Sequence, residues 1–216
     1  MRLFRGKGDS QMRRLGLICL ILFVAFALTS ASADTAGFTN TGVTVWPNND
    51  NQDWSLGFEF AVSSPVTVTA LGYNYFGTPL NASHQVGLYD SGANLLASVT
   101  IDNSSTANGG YLYNSITPLA LGSGDYFLTG TTLGLNDGWI YQSASTTGAA
   151  GMSFVDSWFT SGNGGMLSFP TSNASGLQYM EVNLLVQSTT TPEPATLALL
   201  GAGLAGMLGI RRKYSA

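Results

Sequence analysis

The chain has 216 residues, of which 44% are hydrophobic and only 9% charged, and its formal net charge is −4. All eight Lys and Arg lie at the two ends, five before Leu15 and three after Ile210, so residues 34–191 hold ten carboxylates and no cation other than a protonated His84. A body without Lys or Arg cannot displace counterions from phosphate, which excludes nucleic acid as a partner and disfavours anionic lipid surfaces; its fold must rest on apolar burial and backbone hydrogen bonds rather than on salt bridges.

At the N-terminus, Arg2, Arg5, Lys7, Arg13 and Arg14 precede an apolar run from Leu15 to Leu28 and the small-residue stretch Thr29–Ala33. These are the charged region, apolar helix and cleavage site of a secretory signal. Ala31 and Ala33 satisfy the A-x-A pattern, so residues 1–33 are expected to be a signal peptide, handled by the general secretion machinery and cut after Ala33. Met12-Arg13-Arg14 alone makes a complete charged region, so a start at Met12 serves as well as one at Met1. Cys19 is the only cysteine and lies inside the apolar run behind Ile18, where lipidation would want a small residue. The mature chain therefore has no thiol, no disulfide and no thiolate metal site.

The body, residues 34–186, has a period of two. Large apolar residues alternate along Leu56–Val62 and Val66–Leu71, with Ser63-Ser64-Pro65 as the break. Further strands are expected at Gln85–Asp90, Leu95–Ile101, Tyr111–Ile116, Asp125–Thr132, Gly138–Gln142, Ser153–Phe159 and Leu177–Val186, with a long polar loop at Asp102–Gly110. Short strands separated by Gly/Asn/Ser turns, with no capped helical period, predict an all-β antiparallel domain; a jelly-roll-like β-sandwich buries such faces most economically. Residues 187–191 form a polar linker.

The chemistry on offer in the body is sparse. One His and no Cys in the mature chain cannot build a zinc site, and no G-x-S-x-G elbow accompanies His84, which reads as a hydrogen-bonding residue at a strand start. The carboxylates read as solvated positions rather than as the flanking pair that glycoside hydrolysis needs. No catalytic residue is assigned and the protein is expected to be non-enzymatic; a secreted hydrolase acting through Glu59 or Glu181 is the least favoured alternative. The segment Asn48–Asp53 is densest in oxygen ligands, so Asp50 and Asp53 are the residues that would hold calcium, the one cofactor considered, although Asx-rich segments are also common turn formers. Trp46 and Trp54 flank that segment and offer flat apolar faces on which sugar rings could stack, although aromatics in a sandwich are ordinarily core.

The C-terminal stretch has three parts in order: Pro192-Glu193-Pro194, the uncharged apolar run Ala195–Ile210, and the basic stop Arg211, Arg212 and Lys213. As a helix the 16-residue run would span ~24 Å, somewhat short of a ~30 Å hydrocarbon core, with the cations held on the cytoplasmic side. This tail, residues 192–216, resembles a PEP-CTERM sorting signal of Gram-negative bacteria that make exopolysaccharide. The resemblance implies an exosortase-type membrane protease as partner, a cut near Pro192-Glu193-Pro194, transient anchorage in the inner membrane by the transmembrane helix, and a final place at the cell surface or in the extracellular matrix. Gly57-Phe58-Glu59-Phe60, Val66–Gly72, His84–Asp90 and Gly92–Ala97 are similar to an uncharacterised β-sandwich domain that often precedes such tails. That second resemblance implies a secreted sandwich and no particular activity. Together they describe an exported protein associated with exopolysaccharide or biofilm, with a carbohydrate-binding module as the alternative.

Overall fold

A computed structural model of the chain describes residues 34–46, 53–133 and 137–187. Fifteen strands are present there and no helix: β1 (Asp34–Ala36), β2 (Phe38–Thr41), β3 (Thr44–Trp46), β4 (Asp53–Val62), β5 (Val66–Asn74), β6 (His84–Asp90), β7 (Leu95–Ile101), β8 (Thr106–Asn108), β9 (Tyr111–Leu121), β10 (Gly124–Leu133), β11 (Trp139–Gln142), β12 (Ser145–Gly148), β13 (Met152–Ser161), β14 (Ser172–Asn173) and β15 (Val182–Gln187). The signal peptide and its cleavage residues Ala31 and Ala33, the sorting motif, the apolar tail helix and the basic stop lie outside the described residues; among those that are described, no helix is long and apolar enough to cross a membrane.

The strands form a five-stranded sheet, β1-β15-β5-β9-β8, a six-stranded sheet, β14-β13-β4-β10-β6-β7, and two ribbons, β11-β3 and β12-β2, every pairing antiparallel. The result is sandwich-like, and the chain repeatedly leaves one sheet for the other, as at the turns joining β4 to β5 and β9 to β10.

The alternation on β4 shows why it works. Leu56, Phe58, Phe60 and Val62 are all buried, and Phe58 and Phe60 meet Phe38 edge-on at 4.9 and 5.6 Å between ring centroids. Val68, Leu71 and Tyr73 of β5, Leu88 of β6, Leu112 of β9, Leu128 of β10 and Val182, Leu184 and Val186 of β15 complete the main core. Truncating Phe58 or Phe60 to Ala would cost about 3–5 kcal/mol. Gly130 sits where the sheets come closest: a Cβ there would stand 2.5 Å from Val182 and 3.2 Å from the Tyr73 ring, so no larger residue fits without moving them.

Several expected boundaries shift. The strand expected to end at Ile116 continues through Pro118 to Leu121, because the ladder to β5 bulges between Val68 and Ala70, where a residue without an N–H is tolerated. The strand expected from Leu177 begins only at Val182; before it, Tyr179 and Met180 are buried but unpaired with a neighbouring strand. The expected loop 102–110 contains β8, which closes a tight hairpin on β9.

Register gives the body two distinct ends. Val62, Val66, Leu121, Gly124 and Met152 meet at one end, where Asp34 of β1 pairs with Gln187 of β15. Trp54, Asn74, Tyr111, Ser161 and Val182 meet at the other.

Candidate functional site

The end remote from Asp34 and Gln187 carries a chain of aromatic rings. Ribbon β3–β11 pairs Trp46 with Trp139, so both rings share one face, stacked at 6.2 Å and 27°. Tyr141 meets them edge-on at 5.6 and 6.1 Å, placed on the same side by the irregularity after Ile140, whose own side chain is buried in the main core. Trp139 leads to Tyr179 at 5.4 Å, Tyr179 to Phe159 at 6.4 Å, and Phe159 to Trp54 at 5.5 Å. The chain of rings thus runs from surface to interior. Trp46 is 47% exposed, with Val43 and Val45 exposed beside it, whereas Trp54 packs against a second small core of Leu56, Ala174 and Tyr179. Trp46 and Trp54 belong to one aromatic cluster, in which Trp46 is exposed and Trp54 half-buried. Tyr141 is missed by sequence reasoning, and the partnership of Trp139 with Trp46 is a pairing across more than ninety positions that no local pattern shows. Of the residues proposed for calcium, Asp53 opens β4 and Asp50 lies outside the described residues; among those described, no group of three or more His, Cys, Asp or Glu gathers as a metal site would need.

Behind this aromatic end lies a buried polar cluster. His84 is almost wholly buried, its Nδ1 2.6 Å from the Thr131 carbonyl and its Nε2 3.1 Å from Asp137 Oδ2. Burial by itself would raise the Asp137 carboxyl, but hydrogen bonds from His84 and from the backbone amides of Asn81 and Ala82 hold it below the usual range, so it is ionised. Each nitrogen of the imidazole thus faces an oxygen at hydrogen-bonding distance. Its ring lies flat on Tyr73 at 4.0 Å and 3°. One nitrogen ties β6 to Thr131 of β10 and the other to Asp137, which in turn accepts from Asn81 and Ala82.

Glu181 departs from the expectation that every carboxylate is solvated. It is fully buried, neither side-chain oxygen has a partner among the described residues, and desolvation pushes it up to about 8, opposed only weakly by nearby backbone N–H groups of Ile140 and of Glu181 itself. At neutral pH it is therefore protonated. Nothing in its local sequence, Tyr179-Met180-Glu181-Val182, marks it as buried. Glu59 is placed quite differently, on the outward side of β4, accepting a 3.0 Å hydrogen bond from Trp158 Nε1 and raised by partial burial and by Asp125 and Asp156 nearby. The two glutamates have different neighbours and are not an acid–base pair.

Residues 40–180 match a family described as a domain of unknown function (DUF4082), and residues 190–213 match the PEP-CTERM protein-sorting motif. The chain belongs to the DUF4082 family. In this DUF4082 protein the sorting motif marks an exported protein sorted through its C-terminus, with exosortase processing as the type of partnership implied. The matched span stops short of β1 and β15, which pair with one another at the edge of the five-stranded sheet. No curated protein and no solved structure matches the chain.

Proposed function

We propose that this protein is a non-enzymatic component of the cell surface or extracellular matrix, associated with the producer's exopolysaccharide through its aromatic end. The observation that carries this reading is the half-exposed Trp46 standing on Trp139 and Tyr141, at the end of the body opposite Gln187, after which the sorting tail follows. A flat apolar surface with hydroxyl and indole groups at its edge suits the axial C–H face of a pyranose. The absence of Lys and Arg from residues 34–191 favours an uncharged glycan over an acidic one, because no cation is there to neutralise a uronate.

In this reading the helix over residues 195–210 holds the protein transiently in the inner membrane, and cleavage near Pro192-Glu193-Pro194 releases the body to the surface. The repeated passage of the chain between sheets supports a jelly-roll-like description of that body. Mass spectrometry of the protein isolated from its host tests the route: a mature chain from Asp34 to the vicinity of Pro192 is expected, and a mass that still includes residues 195–216 would sink it. Tryptophan fluorescence tests the activity: neutral polysaccharide should quench wild type and leave Trp46→Ala unaffected, while no response to a panel of matrix polysaccharides would remove the glycan assignment.

A further inference from the structure

A cleft of about 440 Å³ lies beside β1 and β2, separate from the aromatic platform. Its floor is Tyr111 and Tyr113, which alternate with core residue Leu112 on β9 and so stand on the outer side of the five-stranded sheet, in a small cluster with Ala70. Asn40, Asn74, Asn108 and Asn183 supply carboxamides around it, and among the described residues Asp34 is the only charged one in its lining.

The walls are fixed before any ligand arrives. Tyr111 donates its hydroxyl proton to the Met180 carbonyl at 2.6 Å and accepts from Asn40 Nδ2 at 3.2 Å. Asn40 Oδ1 accepts from Thr146 at 2.9 Å, which fixes the orientation of its carboxamide and leaves the second N–H of Nδ2 without a role in that network. Asn74 Oδ1 accepts from the Phe76 amide at 2.7 Å, which turns its NH2 group toward the Tyr111 hydroxyl at the floor of the cleft. Asn108 stands exposed on the hairpin into β9. The cleft therefore offers oriented amide donors over aromatic rings, within a volume in the range of about 300–1,000 Å³ usual for small-ligand sites.

We infer that this cleft binds a single neutral sugar unit, the end or a branch of a saccharide chain, through the amides of Asn40, Asn74 and Asn108 over the Tyr111 and Tyr113 rings. Sugar hydroxyls match amide donors and a small aromatic floor. A phosphorylated or uronic sugar gains nothing there, because the Asp34 carboxylate offsets the α-amino group that the expected cut after Ala33 leaves on the same residue. The inference deepens the glycan reading by assigning the chain terminus to the cleft and the repeating backbone to the Trp46 platform, and it rests on that reading for the source of the sugar. The two sites adjoin: Val43 and Ile140 line the cleft, and the ribbon of which Ile140 is part carries Trp46 and Trp139 on its other face.

The test uses the exported protein, titrated by NMR with galactose, glucose, N-acetylglucosamine and galacturonate. At least one neutral sugar should saturate wild type and bind at least tenfold more tightly than galacturonate. Two substitutions that fill the cleft from exposed positions, Asn108→Trp and Val43→Trp, should each weaken that binding at least tenfold, with the unfolding midpoint as a check on folding. Trp46→Ala should leave the monosaccharide constant within twofold while abolishing polysaccharide quenching. Monosaccharide binding unchanged in both cleft variants, or no saturation by any neutral sugar, overturns the cleft. Polysaccharide binding unchanged in Trp46→Ala overturns the platform alone, so the two failures are separable.

Discussion

The two ends of the body are built on different chemistry. The end at Asp34 and Gln187 is made of turns and strand edges, with β1 exposed throughout and held by its ladder to β15 and by a 2.7 Å hydrogen bond from Thr69 to Asp34. The opposite end concentrates the aromatic chain from Trp46 to Trp54 and the buried cluster of Tyr73, His84, Asp137 and Glu181. Polar groups that are expensive to bury are gathered at the end that carries the candidate ligand surface, while the end that continues into the sorting tail is held by ordinary backbone pairing. Aromatic surface and stability risk are therefore located together, whereas the Asp34 and Gln187 end holds fewer buried polar groups and meets a candidate site only where β1 borders the cleft.

The sharpest way to break that contrast is at His84. Replacing it with Ala removes two buried hydrogen bonds and leaves a cavity against Tyr73, which should cost about 2–4 kcal/mol in urea unfolding. At the other end, Thr69→Ala removes an exposed hydrogen bond to Asp34 and should cost less than about 1 kcal/mol. Equal losses at the two positions would erase the distinction.

Glu181 gives the next largest effect, through pH. Its carboxyl holds a proton in the folded state up to about 8, whereas an unfolded glutamate releases it near its ordinary value of 4.5. The unfolded state therefore binds fewer protons between these values, and stability falls as pH rises through that window, by about 1.4 kcal/mol for each tenfold difference in proton affinity. Thermal unfolding should show a midpoint that declines from pH 5 to 9. Glu181→Gln, which keeps the shape and cannot ionise, should flatten that decline and be the more stable protein at pH 9. Groups with charge or titration near Glu181 are Tyr73, Tyr111 and Tyr179, and all three tyrosines are raised, chiefly by burial, so they do not titrate within the window. Asp137, held low, acts only on the acid side.

A smaller effect on stability than at His84 is expected at Trp46, whose replacement by Ala should cost about 1–2 kcal/mol, because nearly half the residue is already in water and the rest packs on Trp139 and Tyr141. Its effect on polysaccharide binding should be the largest of any single substitution at the aromatic end. A fall in stability comparable to that of His84→Ala would recast Trp46 as a core residue.

Strands with strict alternation are legible in the sequence because a period of two over six or more residues puts one face in the core only if the chain is extended, and β4 follows it from Leu56 to Val62. The strands β1, β2 and β3 are not legible, since they are three or four residues long and mostly exposed and owe their form to distant partners: β15, β12 and β11. The same distance hides the candidate sites. Trp46 stands out as an aromatic beside a polar segment, yet its support by Trp139 and Tyr141 depends on a ribbon that no local pattern encodes. Asn40, Asn74 and Asn108, three asparagines in a chain rich in them, become neighbours only when β2, β5 and the hairpin into β9 are assembled. Glu181 escapes sequence reasoning because burial of a lone carboxylate breaks the rule from which exposure is inferred.

The position of β15 also has a mechanical consequence. The strand is flanked by β1 and β5, its Gln187 end continues into the sorting tail, and its Val182 end follows directly on Tyr179 beneath the aromatic platform. A pull between a polymer gripping that platform and an attachment beyond Gln187 would act along the strand axis. The ladder bonds to both neighbours would then be loaded together in shear, rather than opened one after another as in a peeled hairpin, and that is the direction in which this small sheet resists force best.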